Sequence, residues 1–185
     1  MTVQEIFEQV RSDASFYKTS GGGVTFSGGE CMLQLSALTE LLRLCKDAGI
    51  HTAIDTAGDV PYDAFARVLP YTDLFLFDLK CMDAAKHRAY TGVDNTRILS
   101  NLASLLKAQA RVWIRIPVIA GINDSHEEMQ AVRRFLRDHG KPDKIELLPY
   151  HKMGEHKYQA LGMKAETFSS PSPERMCELY AILNA

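Results

Sequence analysis

The sequence predicts an α/β fold in which parallel strands alternate with helices. Two observations lead to this prediction: short apolar runs have the length of buried strands, and longer amphipathic stretches of helical period separate them. The strands are expected over residues 24–26, 51–55, 74–78, 112–117 and 145–149. Five strands cannot close an eight-stranded barrel. Because a helix precedes the first strand, we expect one strand of a longer protein to be missing ahead of Met1, with residues 1–185 forming a single truncated domain.

The helices follow from capping residues and apolar spacing. Thr2 and Glu5 form a capping box that starts a helix reaching about Tyr17, and Ser36 is expected to cap a second helix that ends at Gly49. Leu74 to Asp78 is nearly continuous in apolar residues, which predicts a strand covered on both faces. The other helical segments are expected over residues 62–68, 83–92, 96–109, from a second capping box at Ser125–Glu128 to Gly140, and from Pro173 to the C terminus.

Composition narrows the possible partners. With 185 residues, 46% hydrophobic content and a net charge of -2, the chain has enough apolar side chains for one core and no basic surface for nucleic acid or anionic membrane. Neither a signal peptide nor a long apolar run is present, so we expect a cytoplasmic protein. The four cysteines are too scattered for a disulfide framework or a metal motif, and they are expected to be reduced.

Ionisable side chains stand at the carboxyl end of nearly every predicted strand. Parallel strands bring these ends to one rim, where carboxylates bind ammonium and hydroxyl groups and cations bind a carboxylate. The rim therefore suits a zwitterionic amino acid with a ribose. Each residue also has a structural interpretation, such as Asp55 capping a turn, Asp78 pairing with Lys80, or Arg115 bridging carboxylates. The rim residues are Glu30, Asp55, Asp78, Lys80, Arg115 and His151, with Gly28 and Gly29 forming a tight turn beside them.

Several motifs together carry a family resemblance. They are Gly21 to Glu30 (GGGVTFSGGE), Asp55 to Gly58 (DTAG), Asp78-Leu79-Lys80, Trp113-Ile114-Arg115 and Glu146 to His151 (ELLPYH). Asp78-Leu79-Lys80 is followed at fixed spacing by Asp83, His87, Thr91-Gly92-Val93 and Asn95. The sequence thus resembles the radical S-adenosylmethionine enzymes that activate glycyl-radical enzymes, the pyruvate formate-lyase activating enzyme family. The likeness extends from about Thr2 to the last helix.

The resemblance implies a partial (β/α)6 barrel of the TIM-barrel type, S-adenosylmethionine as cofactor and a [4Fe-4S] cluster. It implies an oxidoreductase that takes a hydrogen atom from a glycine of a protein partner, with flavodoxin or ferredoxin as electron donor. Matched positions imply that Gly28, Gly29 and Glu30 receive the methionyl amino group. Further residues match cofactor-binding positions or are expected beside them: Asp55, Asp78, Lys80, Arg115 and His151. A monovalent-cation site is implied at Asp55, Thr56, Leu76 (through its carbonyl) and Asp78. A partner-binding loop is implied at Asp83, His87, Thr91 and Gly92.

Two departures from the family pattern stand out. Cys31 replaces a proline that often follows Gly-Gly-Glu, and the Cys-x-x-x-Cys-x-x-Cys motif that ligates the cluster is not in this sequence. Because the cofactor carries the chemistry and the protein supplies binding and orientation, the chain alone is expected to have no radical activity. The alternative interpretation is a non-catalytic module that binds S-adenosylmethionine or docks on a partner. The sequence leaves open which glycyl-radical enzyme is the partner.

Overall fold

The computed structural model describes residues 1–151, 162 and 168–184. Five parallel strands form one open sheet in the order β1-β2-β3-β4-β5. The strands are β1 (Gly23–Phe26), β2 (His51–Thr56), β3 (Leu74–Asp78), β4 (Val112–Val118) and β5 (Lys144–Pro149). The helices are α1 (Val3–Ser12), α2 (Ala14–Ser20), α3 (Leu35–Asp47), α4 (Tyr62–Val68), α5 (Ala84–Thr91), α6 (Thr96–Lys107), α7 (His126–His139) and α8 (Pro173–Asn184). The predicted α/β class and the five strands are confirmed.

The strands pair in chain order, as in part of a (β/α) barrel. When each strand pairs with the next and every crossover is right-handed, all connecting helices lie on the same side of the sheet. The sheet therefore has one face packed against helices and one face turned away from them. Asp55 lies opposite Leu76, and Asp78 lies opposite Arg115, so the register places these side chains together near the carboxyl ends of β2, β3 and β4.

The two faces of the sheet differ in burial. On the helix-covered face, Ile54, Phe75, Phe77 and Ile114 are almost completely buried in one core cluster. Residues of β4 alternate strictly between buried and half-buried along all of its length. The expectation that β3 is covered on both faces is wrong in this respect, because Leu76 and Asp78 are half-buried on the opposite face. That second face carries the polar groups.

Some helix boundaries differ from the expected ones. The capping box at Thr2 and Glu5 forms as predicted, but α1 ends at Ser12 and a separate α2 follows after Asp13. Ser36 does not cap α3, because a 3-10 turn over Cys31–Gln34 leads directly into the helix at Leu35. The local pattern at Ser36 predicts the wrong start for α3, because the turn before the helix is held by contacts of Glu30 with Thr56 and Ala57 at the end of β2.

None of the helices in the described residues is long and apolar enough to cross a membrane.

Asp73 holds together the amino-terminal edge of the sheet, opposite the edge where the carboxyl ends of the strands meet. Its carboxylate accepts hydrogen bonds from the Thr52 N–H (2.9 Å) and from Lys46 Nζ (2.7 Å). Burial by itself raises the pKa of Asp73, but the hydrogen bonds from Lys46 and Thr52 outweigh it and lower the pKa below the usual value.

Asp73 should therefore make the fold sensitive to acid. A carboxyl with a lowered folded-state pKa stabilises the fold above its unfolded pKa, and this contribution is lost as the pH falls through the folded pKa. We expect Asp73→Ala to lower the free energy of unfolding at neutral pH by about 1–3 kcal/mol, with a smaller deficit near pH 2. Urea titrations across that range measure the difference. A deficit independent of pH would contradict the assignment.

Candidate cofactor-binding site

The turn after β1 is open to solvent on one side. Gly28 and Gly29 have φ values of +94° and +56°, and no heavy atom lies within 4 Å of the position that a Cβ would take at either residue. Backbone in this region of φ favours glycine. The turn thus combines an exposed backbone with free space above it, as close approach of a small ligand requires.

Glu30 ties the end of β1 to the end of β2. Its Oε2 accepts hydrogen bonds from Thr56 Oγ1 (2.9 Å) and from the Ala57 N–H (3.0 Å), and its Oε1 accepts one from the Met32 N–H (3.2 Å). The Gly58 N–H donates to Thr56 Oγ1 (3.0 Å). Glu30 is therefore a fixed part of the rim, held by three donors, and its carboxylate keeps capacity for a further donor.

Arg115 bridges the carboxylates of Asp55 and Asp78. Its Nε and Nη2 lie 3.0 Å and 2.7 Å from Asp78 Oδ1, and its Nη2 also donates to Asp55 Oδ1. Between 20% and 24% of each of the three side chains is exposed. The structural interpretation of Arg115 as a bridge is thus correct for the described residues. The bridge leaves one Asp55 oxygen bonded to the Ser27 hydroxyl (3.1 Å).

The charges in this cluster support each other. Burial by itself lowers the pKa of Arg115, but the nearby Asp78 and Asp55 carboxylates more than compensate and raise it. Lys80 Nζ lies 3.6 Å from Asp78 Oδ2 with 40% of its side chain exposed, so it is paired loosely and can reach a further anion. The rim therefore presents two carboxylates and two cations in one ion-paired network, and the third carboxylate, Glu30, is bonded to Thr56 next to Asp55.

The remaining rim residues have different surroundings. His151 follows β5 at the same end of the sheet and is exposed; within the described residues it makes no hydrogen bond or ion pair. Thr56 is buried with its hydroxyl committed to Glu30 and Gly58, while Leu76 lies opposite Asp55. In the described residues no three His, Cys, Asp or Glu side chains form a group able to hold a metal ion. The monovalent-cation site stays a prediction.

Residues expected to bind the partner mainly organise α5 and the turn after it. Asp83 caps α5 by accepting from the Lys86 N–H (2.8 Å), and Gly92 ends the helix with φ +85°. His87 is 3% exposed, and its Nδ1 contacts the Val93 carbonyl (2.7 Å) and the Thr91 hydroxyl (2.9 Å). These residues shape a surface loop, and their role toward a partner stays a prediction.

Sequence reasoning missed two residues near the rim. Ser27 supports Asp55, and Asn101 donates its amide N–H groups to the carbonyls of Gly58 (2.8 Å) and Val60 (2.8 Å). Asn101 is 2% exposed inside an otherwise apolar helix face. A polar residue at a core position of an amphipathic helix is a usable signal, because buried amides need partners.

The cysteines of this chain do not suit an iron-sulfur cluster. Cys31, Cys45 and Cys81 are buried, Cys177 is exposed, and none of them takes part in a disulfide. Burial raises the pKa of Cys31, Cys45 and Cys81 to about 11. Cluster ligands must converge on one centre, and among the described residues no three His, Cys, Asp or Glu side chains form such a group, so the four cysteines provide no cluster site.

S-adenosylmethionine, in contrast, fits the rim. The molecule combines a sulfonium and an ammonium group with one carboxylate, and the rim combines three carboxylates with two cations, so the charges are complementary. The open space above Gly28 and Gly29 lies beside Glu30, and the ribose hydroxyls find acceptors in carboxylates. Such a group, when bound, would supply the reactive chemistry, and the rim would bind and orient it.

The comparisons with known proteins agree with this class of site. Residues 1–135 match the model of the Radical SAM superfamily. The chain therefore belongs to the Radical SAM superfamily, and within it to the activating enzymes of glycyl-radical enzymes, as its relatives show. A domain of pyruvate-formate lyase-activating enzyme from Bacteroides vulgatus superposes with a TM-score of 0.76 at 33% identity, covering 88% of this chain and 93% of that one.

Two curated relatives are representative. The choline trimethylamine-lyase activating enzyme of Oleidesulfovibrio alaskensis is 43% identical over 92% of this chain and 56% of its own length. The pyruvate formate-lyase 1-activating enzyme of Escherichia coli is 40% identical over 99% of this chain and 76% of its own length. The chain spans 52% to 62% of three of the matched relatives. The predicted family and the partial-barrel fold are confirmed.

Proposed function

We propose that this chain is the S-adenosylmethionine-binding part of an enzyme that activates a glycyl-radical enzyme. The full protein is an oxidoreductase that removes a hydrogen atom from a glycine of its protein partner. The chain contributes the binding and orientation of the cofactor, since its four cysteines do not suit the cluster. The names of the relatives support a glycyl-radical enzyme as the partner class.

The observation that carries this proposal is the rim at the carboxyl ends of the strands, where the ion-paired network of Asp55, Asp78, Lys80 and Arg115 lies near Glu30, which bonds to Thr56 next to Asp55. In the proposed complex, Glu30 and the Gly28-Gly29 turn bind the amino group of the methionyl part, and Lys80 binds its carboxylate. Asp55, Asp78 and Arg115 lie beside the bound cofactor in this proposal, and His151 lies on the side of the ribose. Neighbouring carboxylates suit a cofactor of net positive charge.

Three finer proposals concern the surroundings of the enzyme. A small electron carrier such as flavodoxin or ferredoxin serves the full-length protein. The compartment is the cytoplasm, where cysteines stay reduced; the four free cysteines, three of them buried, are consistent with that environment. The exposed surface formed by the end of α5 and the turn after it, with Tyr90 and Val93, is available to the protein partner.

Calorimetric titration of the purified chain with S-adenosylmethionine tests the proposal. We expect Asp55→Ala to weaken binding at least about tenfold, because a partly buried carboxylate facing a cationic ligand contributes a charge-assisted hydrogen bond. Arg115 keeps its two contacts with Asp78 in this variant, so the rim retains one of its bridges.

Asp143→Ala is the matched control. Asp143 also pairs with an arginine, Arg111 (3.4 Å), and accepts a second hydrogen bond, here from the Val112 N–H (3.0 Å), but it lies at the opposite end of the sheet. The control should bind like the wild type. Equal and weak heats from the wild type and Asp55→Ala would remove the site assignment.

A further inference from the structure

The segment directly after β3 is held by side chains from elsewhere in the fold. Lys80, Cys81 and Met82 form no helix or strand. Nevertheless, each of their carbonyls accepts a hydrogen bond from a buried side chain, and the Met82 N–H donates one to a buried side chain. Irregular backbone at a buried position needs such partners. The partners come from three separate places, at Asn95, Asn123 and Glu128, which we call the clamp.

Asn123 fixes the backbone of Lys80 itself. Its Nδ2 donates to the Lys80 carbonyl (2.7 Å) and to the Pro117 carbonyl (2.7 Å), and its Oδ1 accepts from the Ile119 N–H (2.8 Å). The side chain is 2% exposed. The Asn123 amide group thus joins the carboxyl ends of β3 and β4, with its Nδ2 as donor and its Oδ1 as acceptor.

Asn95 stands at a helix-capping position but does not cap. It immediately precedes α6, where an asparagine normally accepts a hydrogen bond from the first turn of its own helix. Here its Nδ2 donates to the carbonyls of Cys81 (2.9 Å) and Met82 (2.8 Å), and the Thr96 N–H is bonded instead to Asp94 Oδ1 (3.0 Å). The residue serves the distant segment in preference to its own helix.

Glu128 is diverted in the same way. It occupies the third position of α7, where the capping-box pattern with Ser125 would turn its carboxylate back to the start of the helix. The Glu128 N–H does bond to Ser125 Oγ (3.2 Å), but the carboxylate accepts from the Met82 N–H and is only 7% exposed. A buried carboxylate is costly unless its hydrogen bonds are specific.

We propose that Asn95, Asn123 and Glu128 are positioning residues that fix the backbone of Lys80 so that its ammonium group stands ready for the carboxylate of S-adenosylmethionine. The inference rests on the proposed function. A flexible lysine binds an anion more tightly when its backbone is already ordered, because less conformational freedom is lost on binding. Asn95 does not cap α6, and Glu128 does not complete the capping box of α7, although Ser125 still caps that helix. Both side chains hold this one segment instead, which a role confined to helix stability does not explain.

A double-mutant cycle measured by calorimetry with S-adenosylmethionine tests the clamp. Asn123→Ala should weaken binding about tenfold when Lys80 is present and less than about twofold in the Lys80→Ala background, since a positioning residue acts only through the residue that it positions. Hydrogen exchange should accelerate at the amides of residues 80–83 and stay unchanged in β2. Glu128→Gln, which keeps an oxygen acceptor for the Met82 N–H, gives a milder second variant in the same cycle.

Thr52→Val is the control for general destabilisation. Thr52 is fully buried and donates to the Tyr71 carbonyl (2.7 Å) at the other end of the sheet, so its loss should lower the melting temperature without changing the affinity. Equal losses from Asn123→Ala in both Lys80 backgrounds, or an equal loss from Thr52→Val, would overturn the clamp alone. Lys80→Ala with unchanged affinity would overturn the proposed role of Lys80, and a wild type without binding heat would overturn the proposed function and the clamp together.

Discussion

Arg115→Met is expected to lower the free energy of unfolding by about 2–3 kcal/mol, because it leaves Asp55 and Asp78 close together without their shared cation. Removal of one partner from a fully buried pair costs more than this. The smaller figure reflects the fifth to a quarter of each side chain that solvent still reaches. Methionine fills a similar volume, so the loss reports on charge. Equilibrium unfolding in urea measures it.

Arg111→Met supplies the comparison at the opposite, amino-terminal end of the same strand. Arg111 pairs with Asp143 at 3.4 Å, and 59% of its side chain is exposed, so the same substitution should cost less than about 1 kcal/mol. Losses of equal size in the two variants would show that the Arg115 bridge contributes no more than an ordinary surface ion pair. The binding of S-adenosylmethionine should fall only in Arg115→Met.

The α/β class was predictable because buried strands and amphipathic helices differ in the period and the length of their apolar sequence patterns. The helix starts were less predictable, for a tertiary reason. The 3-10 turn before α3 is fixed by Glu30, whose carboxylate contacts Thr56 and Ala57 on the next strand, and no local pattern around Ser36 carries that information. The same holds for Glu128, where a local capping signal competes with a distant backbone N–H.

The rim residues were found because strand ends are recognisable and parallel strands share one edge. What the pattern left open was the pairing among them. Arg115 was a cation in an apolar run, with a structural and a functional interpretation, and the structure shows it bridging Asp55 and Asp78. The partners of the Asn95, Asn101 and Asn123 amides were not predictable from the sequence, since each amide contacts residues that are distant in sequence or follow another strand.

Gly58→Ala is expected to destabilise the fold by about 2–4 kcal/mol, because the substitution combines backbone strain with overpacking. Gly58 has φ +79°, and an added Cβ would lie 2.3 Å from Phe77 Cζ. Phe77 cannot move easily, since it is fully buried and stacks on Phe65 with 6.2 Å between ring centroids. Thermal and urea unfolding measure the loss.

Gly49→Ala separates the two causes. Gly49 has a similar φ of +69°, but no heavy atom lies within 4 Å of its added Cβ, so only strain of about 1–2 kcal/mol should remain. Gly58 also bonds through its N–H to Thr56, which holds Glu30, so a backbone shift at residue 58 reaches the rim. Gly58→Ala should therefore weaken S-adenosylmethionine binding, and Gly49→Ala should not. Equal losses of unfolding free energy in Gly58→Ala and Gly49→Ala would mean that the Phe77 ring moves aside for the added methyl group. The packing of Phe77 would then not constrain the turn beside the rim.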